Sequence, residues 1–186
     1  MPWAVVVPAA LSAFLFSYAG AAVVAWLPRE VMRPLVLVLL IAVALYTLKK
    51  PDFGTVAHAA QVPQRYLRWA AIGVGAVLGF YDGVFGPGAG SFMIFAFVRL
   101  FGMDFLHASA TAKIVNAATN AGAILLFAPQ GHVLWILGLG MAICNIAGAQ
   151  LGARLAIRHG SGFVRSVFLV MTSLLILKMG WDTLAT

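Results

Sequence analysis

The sequence predicts an all-α fold: a polytopic transmembrane helical bundle with an internal repeat and one Gly-rich broken helix. Of its 186 residues, 63% are hydrophobic and 9% charged, with a mean hydropathy of +1.00, well outside the range of soluble domains. Several apolar runs approach or exceed the ~20 residues that cross a bilayer core. One of them is interrupted at Gly79–Ser91 by five glycines, a proline and an aspartate, a density that a continuous helix does not sustain. Irregular backbone at membrane depth survives where protein buries it or where it lines a watery cavity, and broken helices of this kind build binding sites in transporters.

The elements follow in order. The first apolar segment, Trp3–Leu27, is stopped by Pro28-Arg29-Glu30. It has no basic region before it and is too long for a signal peptide, so it reads as a membrane helix. The second, Pro34–Leu48, is short and closes at Lys49-Lys50-Pro51. A polar connector over 52–66 is the one candidate linker and divides a first unit, 1–51, from a second, 67–186. The third segment, Leu67–Phe101, contains the break. The fourth is His107–Phe127, ended by Ala128-Pro-Gln-Gly-His132. The fifth is Val133–Ile157, ended by Arg158-His159-Gly160-Ser161-Gly162, and the sixth is Phe163–Leu184. Trp3, Trp26, Trp69, Trp135 and Trp181 lie near segment ends, as an interfacial aromatic belt places them. The net charge of +7 comes from Lys and Arg at those same ends, which points to lipid headgroups and orientation rather than to nucleic acid. If the broken segment re-enters, the basic residues concentrate on the side of the 49–68 region, which is then cytoplasmic.

Gly20-Ala-Ala-Val-Val-Ala-Trp-Leu27 and Gly148-Ala-Gln-Leu-Gly-Ala-Arg-Leu155 share the pattern G-A-x-x-x-A-x-L at an offset of 128 residues. Each is followed by an Arg-containing loop and an apolar helix, the arrangement expected of an internal repeat. The second copy is preceded by the broken segment and the fourth helix, and the first copy is not. The repeat therefore starts the missing counterparts about 60 residues upstream of Met1, and the N-terminally truncated chain is expected to be a fragment, the product of a misassigned start, or a genuinely reduced protein.

Three features carry candidate chemistry. At the break, Gly86, Gly88, Gly90 and Ser91 precede a helix restart near Ser91, whose free N–H groups and positive dipole end would attract an anion. The alternative is that the glycines only let helices approach closely. On the fourth segment Ser109, Lys113, Asn116 and Asn120 share one face. A lysine inside a membrane helix faces a cavity or a partner, or else snorkels to an interface, and the two deeper asparagines favour an anion-binding face. Asp82, the acid within the broken segment, either couples transport to protons or gates Lys113, or else caps a half-helix or pairs structurally with Lys113. Asn145 and Gln150 read as interhelical bonding groups. His107, His132 and His159 lie at segment edges. No His, Cys and carboxylate set has metal-ligand spacing, the single Cys144 excludes an intrachain disulfide, and no nucleophile–base pair suggests an enzyme. No cofactor is expected.

The stretch Gly79-Phe-Tyr-Asp-Gly-Val-Phe-Gly-Pro-Gly-Ala-Gly-Ser-Phe92, together with Ala110-Thr-Ala-Lys-Ile-Val-Asn-Ala-Ala-Thr-Asn-Ala-Gly122, closely resembles the TauE/SafE family of sulfite exporters, nearest its YfcA-like branch. The resemblance covers essentially the whole chain. It implies a multi-pass permease of the bacterial inner membrane with two related halves, moving sulfite, sulfoacetate or other small organosulfur or organic anions. It maps the family motif onto Asp82, Gly86, Gly88, Gly90, Ser91, Lys113, Asn116 and Asn120. The chain departs from the family in lacking the first half's own Gly-rich segment and the helix after it. The expected function is secondary transport of a small anion within the lipid bilayer, with a homo-oligomer left open. The rival is a non-transporting membrane scaffold or accessory subunit, and a channel is a third reading.

Overall fold

The computed structural model describes residues 3–23, 37–38, 41–42, 44–49, 57, 59–86, 88–131 and 133–184. Every regular element among them is helical. Helix α1 (Trp3–Val23) packs along α2 (Leu67–Val84), which is entered through a 3₁₀ turn at Gln64–Tyr66. After the break come α3 (Ala89–Phe101), α4 (Phe105–Phe127) and α5 (Trp135–Leu184). The expected stops at Pro28-Arg29-Glu30 and Lys50-Pro51, residues 34–36, 39–40 and 43 of the second segment, Pro87 and His132 lie outside the described residues. So do residues 24–27 of the first repeat copy.

Small residues set the contact between α1 and α2. Gly75, Gly79 and Gly83 recur every four residues on α2, so they line one helical face. A Cβ at each would stand 2.2–2.5 Å from backbone atoms of Ala9, Ala13 and Ser17 on α1. The facing residues are also spaced by four, and the two backbones touch along their length, the packing that replaces a hydrophobic driving force inside lipid. The same happens between α1 and α4, where a Cβ on Gly122 would meet the Phe14 carbonyl at 2.4 Å. Ser12 donates to the Ile72 carbonyl (3.0 Å) and Ser17 to the Thr119 carbonyl (2.8 Å), so hydroxyls on α1 bond to both partners.

This packing corrects the expected extent of the break. Helix α2 continues through Gly79–Val84, because two of the glycines in the motif face α1 rather than loosening the chain. The non-helical interval shrinks to 85–88, and the restart comes at Ala89, two residues before the expected Ser91. With 13 residues, α3 is ~20 Å long, too short to cross a ~30 Å core alone. It nevertheless forms the centre of the apolar core, through Met93, Phe97 and Phe101 against Phe105, Ala112 and Phe168. Residues 44–49 lean on it, with the Tyr46 ring edge-on to Phe95 at 5.2 Å.

The fifth and sixth expected segments are one run of helix bent at a single residue. Gly160 has φ 75° and ψ −171°, a conformation only glycine adopts cheaply, so the expected five-residue loop reduces to one non-helical position. The limbs on either side are each roughly 36–38 Å long, enough to span. The second limb packs on the core through Val164 and Phe168, and Arg165 donates to the Thr47 carbonyl at 2.8 Å. The first limb is exposed almost throughout.

Asp104 holds the bend to the bundle. It caps α4, which starts two residues earlier than the expected His107, by accepting from the His107 amide (3.0 Å). Its other oxygen meets the His107 ring at 2.6 Å, and Ser161, just past the bend, donates to the first, Oδ1, at 2.9 Å. Burial pushes the Asp104 carboxyl up, but these hydrogen bonds and the nearby His107 outweigh it and hold the group below the usual carboxylate range. A depressed carboxyl contributes stability above its unfolded value of about 4, and that stability is lost as pH falls through the folded value. Asp104→Asn is therefore expected to melt at a lower temperature than wild type at pH 7. The difference should shrink below about pH 4, measured by thermal melting of the detergent-extracted protein. A constant difference across that range would remove the charged cap from the account.

Candidate functional site

The site is built where α2 stops. Phe85 closes the last turn on the Tyr81 carbonyl (2.8 Å). Gly86 and Gly88 then take φ values of +73° and +81°, in the left-handed region that residues with a Cβ rarely enter. Gly88 is the N-cap of α3 and brings no side chain to cap it. The amides of Ala89 and Phe92 are satisfied by the Gly86 and Gly88 carbonyls, both at 3.1 Å. Those of Gly90 and Ser91 have no acceptor among the described residues, and a Cβ on Gly90 would meet nothing within 4 Å. The positive end of α3 thus carries two amides without a described acceptor, with open space beside Gly90. An aromatic group frames it: Tyr81 lies 5.1 Å from Phe85 and 5.2 Å from Phe92, and Leu175 and Ile176 of α5 close the far side. The Ser91 hydroxyl is 3.4 Å from that of Thr172.

One turn before the break, Asp82 projects from α2 toward α4. Its carboxylate accepts a hydrogen bond from the Asn116 side-chain amide at 3.0 Å and another from the Thr119 hydroxyl. Asn120 in turn donates to the Asn116 side-chain oxygen at 3.3 Å. Asp82, Asn116 and Asn120 therefore form one chain of polar groups, with Thr119 as a second donor at its head. Tight packing behind the carboxylate fixes its position. Gly83 lies against the Ser17 backbone, and Ser17 bonds the Thr119 carbonyl, so three helices meet at one level.

Lys113 is placed apart from Asp82, against the structural pair that was one of the four roles expected for that carboxylate. It is exposed on α4 and forms no ion pair or hydrogen bond with Asp82 among the described residues. The reason is rotational. Thr119, the position that faces α2, lies about 120° around the helix from Lys113 at 100° per residue, so the carboxylate meets one edge of the polar stripe and the lysine occupies the other. Because α4 starts at Phe105, Lys113 is eight residues into it, ~12 Å by the helical rise, deeper than the six residues the sequence suggested. Of the eight expected residues, the structure links Asp82, Asn116 and Asn120 directly, groups Gly86, Gly88, Gly90 and Ser91 at the break, and leaves Lys113 open. Thr119 was missed. Its signal is the three-residue step from Asn116, a weak one because an isolated threonine is unremarkable in a membrane helix.

The chain matches the family model described as Sulfite exporter TauE/SafE over residues 1–179. Among curated proteins it is 36% identical over 170 residues to the "Probable membrane transporter protein YfcA" of Escherichia coli (strain K12), covering 91% of this chain and 62% of that relative. It is 35% identical over 172 residues to the "Probable membrane transporter protein ORF9" of Sinorhizobium sp, covering 92% and 65%. It is 33% identical over 169 residues to a "Probable membrane transporter protein" of Haemophilus influenzae (strain ATCC 51907 / DSM 11121 / KW20 / Rd), covering 91% and 65%. The chain thus spans less than two thirds of the length of the curated relatives it matches. No solved structure matches.

Proposed function

The chain belongs to the sulfite exporter TauE/SafE family, and on that premise we propose that it serves secondary transport of a small anion across a bacterial inner membrane. Sulfite, an organosulfonate or a related organic anion is the substrate class. The anion engages the helix-end amides within 88–91, of which those of Gly90 and Ser91 have no described acceptor, and the Lys113, Asn116 and Asn120 face of α4. Asp82 sits between these two elements and couples or gates them by gaining and losing a proton. One observation carries this reading above the others: the positive end of α3 holds two amides with no described acceptor and open space beside Gly90, across the break from a carboxylate that belongs to the polar chain of α4.

The geometry supports binding because the amides at 90 and 91 and the lysine are donors that no described group consumes, and a small oxyanion presents several acceptors. Thermal melting in mild detergent tests it. Millimolar sulfite or sulfoacetate is expected to raise the melting temperature of the protein expressed from its own locus, and chloride at equal ionic strength is not. A non-transporting scaffold predicts no anion-specific protection, and that result would replace the present proposal.

A further inference from the structure

Helices α2 and α3 point in opposite directions on either side of the break. At the break end, the Phe92 ring meets Tyr81 at 5.2 Å and packs on Leu78, so α3 starts beside the last turns of α2. At the other end, the Leu100 carbonyl accepts from the Gln61 amide at 3.0 Å, and Gln61 comes just before the start of α2 at Leu67. Had the two helices continued in one direction, Leu100 would stand about 45 Å from Leu67 by the helical rise. The six residues from Gln61 to Leu67 reach at most ~22 Å, so the contact requires a hairpin.

The second limb of α5 follows the same hairpin from outside. Ser161 bonds Asp104, Phe168 lies 5.2 Å from Phe105, Thr172 is 3.4 Å from Ser91, and Leu175 and Ile176 pack on Phe92. Residue numbers rise along α5 while they fall along α3, so the break lies about 16–22 Å from Asp104 along the bundle.

Charge and aromatic residues distinguish the two ends. Helix α1 runs in the same direction as α2, since Ala9, Ala13 and Ser17 meet Gly75, Gly79 and Gly83 in order. Trp3 therefore shares the connector end with Tyr66 and Trp69, and all three are exposed, as interfacial anchors are. Lys49, Arg65, Arg68, Arg99, Arg158 and Arg165 lie at this end too, with Arg154 one turn before Arg158. Among the other described Lys and Arg, Lys113 is part-way along α4 and Lys178 lies towards the break end. Basic residues collect on the cytoplasmic side of membrane proteins.

We propose that α2 and α3 form a hairpin that enters and leaves the membrane at the cytoplasmic face, so that Gly90 and Ser91 are reached from the extracytoplasmic side and Lys113 from the cytoplasmic side. The free amides of a helix start point away from its C-terminal end, and the C-terminal end of α3 is at the cytoplasmic face. Lys113 lies three to six residues nearer that face than Asn116 and Thr119, which hold Asp82, or about 4.5–9 Å. The two sets of donors address opposite faces, with the Asp82 carboxylate at their junction. The sidedness rests on packing and charge, and that the donors serve an anion rests on the transport reading.

The test uses the protein expressed from its own locus in a Cys144→Ser background, which removes the single cysteine of the sequence. Single thiols at Gln64, at His107 and at Gln130 beyond the other end of α4, each an exposed position, are offered a membrane-impermeant maleimide. Spheroplasts and inverted membrane vesicles are compared. Gln130→Cys is expected to label in spheroplasts, and Gln64→Cys and His107→Cys only in inverted vesicles. Labelling of Gln64→Cys and His107→Cys from opposite sides would mean a single crossing, and labelling of both in spheroplasts would mean the reverse orientation. Either result overturns the proposal. Leu106→Cys, half-buried on the same turn, serves if His107→Cys does not accumulate. The donors themselves are tested with a small anionic methanethiosulfonate. A Cβ on Gly90 meets nothing within 4 Å and Lys113 is exposed, so a thiol at either position is open to the reagent. Gly90→Cys is expected to react several-fold faster in spheroplasts, and Lys113→Cys several-fold faster in inverted vesicles. Equal or reversed rates overturn the sidedness. Neither readout needs transport, so failure of the flux assay and failure of this proposal are told apart.

Discussion

Asp82→Asn is expected to insert, melt close to wild type and lose anion flux. The substituted oxygen can still accept from the Asn116 amide and the Thr119 hydroxyl, the two donors that meet the carboxylate, so the three-helix junction keeps its hydrogen bonds. What disappears is the charge and the ability to exchange a proton. A buried carboxylate that only cemented helices would be replaceable by its carboxamide, since interhelical polar bonds within membranes are worth roughly 0.6–2 kcal/mol each. A carboxylate that couples transport is not replaceable, and flux should fall by about tenfold or more, ~1.4 kcal/mol or above in barrier terms. The measurement is uptake into vesicles with equal amounts of inserted protein. Wild-type flux in Asp82→Asn would reduce Asp82 to a structural group, and Asp82→Ala would then be expected to fail by instability instead.

The second large effect separates two glycines of the same helix. Gly79→Ala would place a Cβ 2.5 Å from the Ala13 backbone, and Gly73→Ala would place one in open space. Helix propensity favours alanine at both positions by about 1 kcal/mol. At Gly79 that gain is outweighed, because backbone atoms cannot step aside as a flexible side chain does, and α1 must separate from α2 along the stripe. Overpacking of this kind costs ~1–3 kcal/mol. Gly73→Ala should therefore melt at or above the wild-type temperature and Gly79→Ala several degrees below it, ~2–4 °C for each kcal/mol in a chain of this size. Equal shifts would mean that the α1–α2 contact is looser than the structure shows.

Much of this architecture is legible in the sequence, and the misses share a cause. The all-α membrane fold follows from composition, and the break follows from the proline and positive-φ glycines near 86–88. Its length was overestimated because Gly79 and Gly83 look the same in sequence as Gly86 and Gly88. The first pair serves contact with α1 and the second pair serves backbone conformation, and only the facing helix distinguishes them. The single-residue bend at Gly160 was read as a five-residue loop, since Arg158, His159 and Ser161 are polar enough to suggest one. In the structure His159 bonds the Leu155 carbonyl and Ser161 bonds Asp104, so both side chains find partners without a loop. At the site, spacing placed Asn116 and Asn120 on one face with Lys113 correctly. It does not show which edge of that face meets α2, so a pair between Asp82 and Lys113 stands open beside coupling, gating and capping, and the contact with Thr119 is not foreseen. Rotation about a helix axis is set by tertiary packing, which a one-dimensional pattern leaves undetermined.

Donors at the break and on α4 are proposed to bind and move a small anion. The most direct measurement is counterflow of radiolabelled sulfite in proteoliposomes carrying equal amounts of wild-type or Lys113→Ala protein, each expressed from its own locus. The account predicts saturable wild-type exchange, competed by sulfoacetate, with exchange in Lys113→Ala reduced to the level of empty liposomes. Exchange in Lys113→Ala equal to wild type would remove the lysine from the site, and no exchange of any sulfur oxyanion by wild type would contradict the transport reading itself.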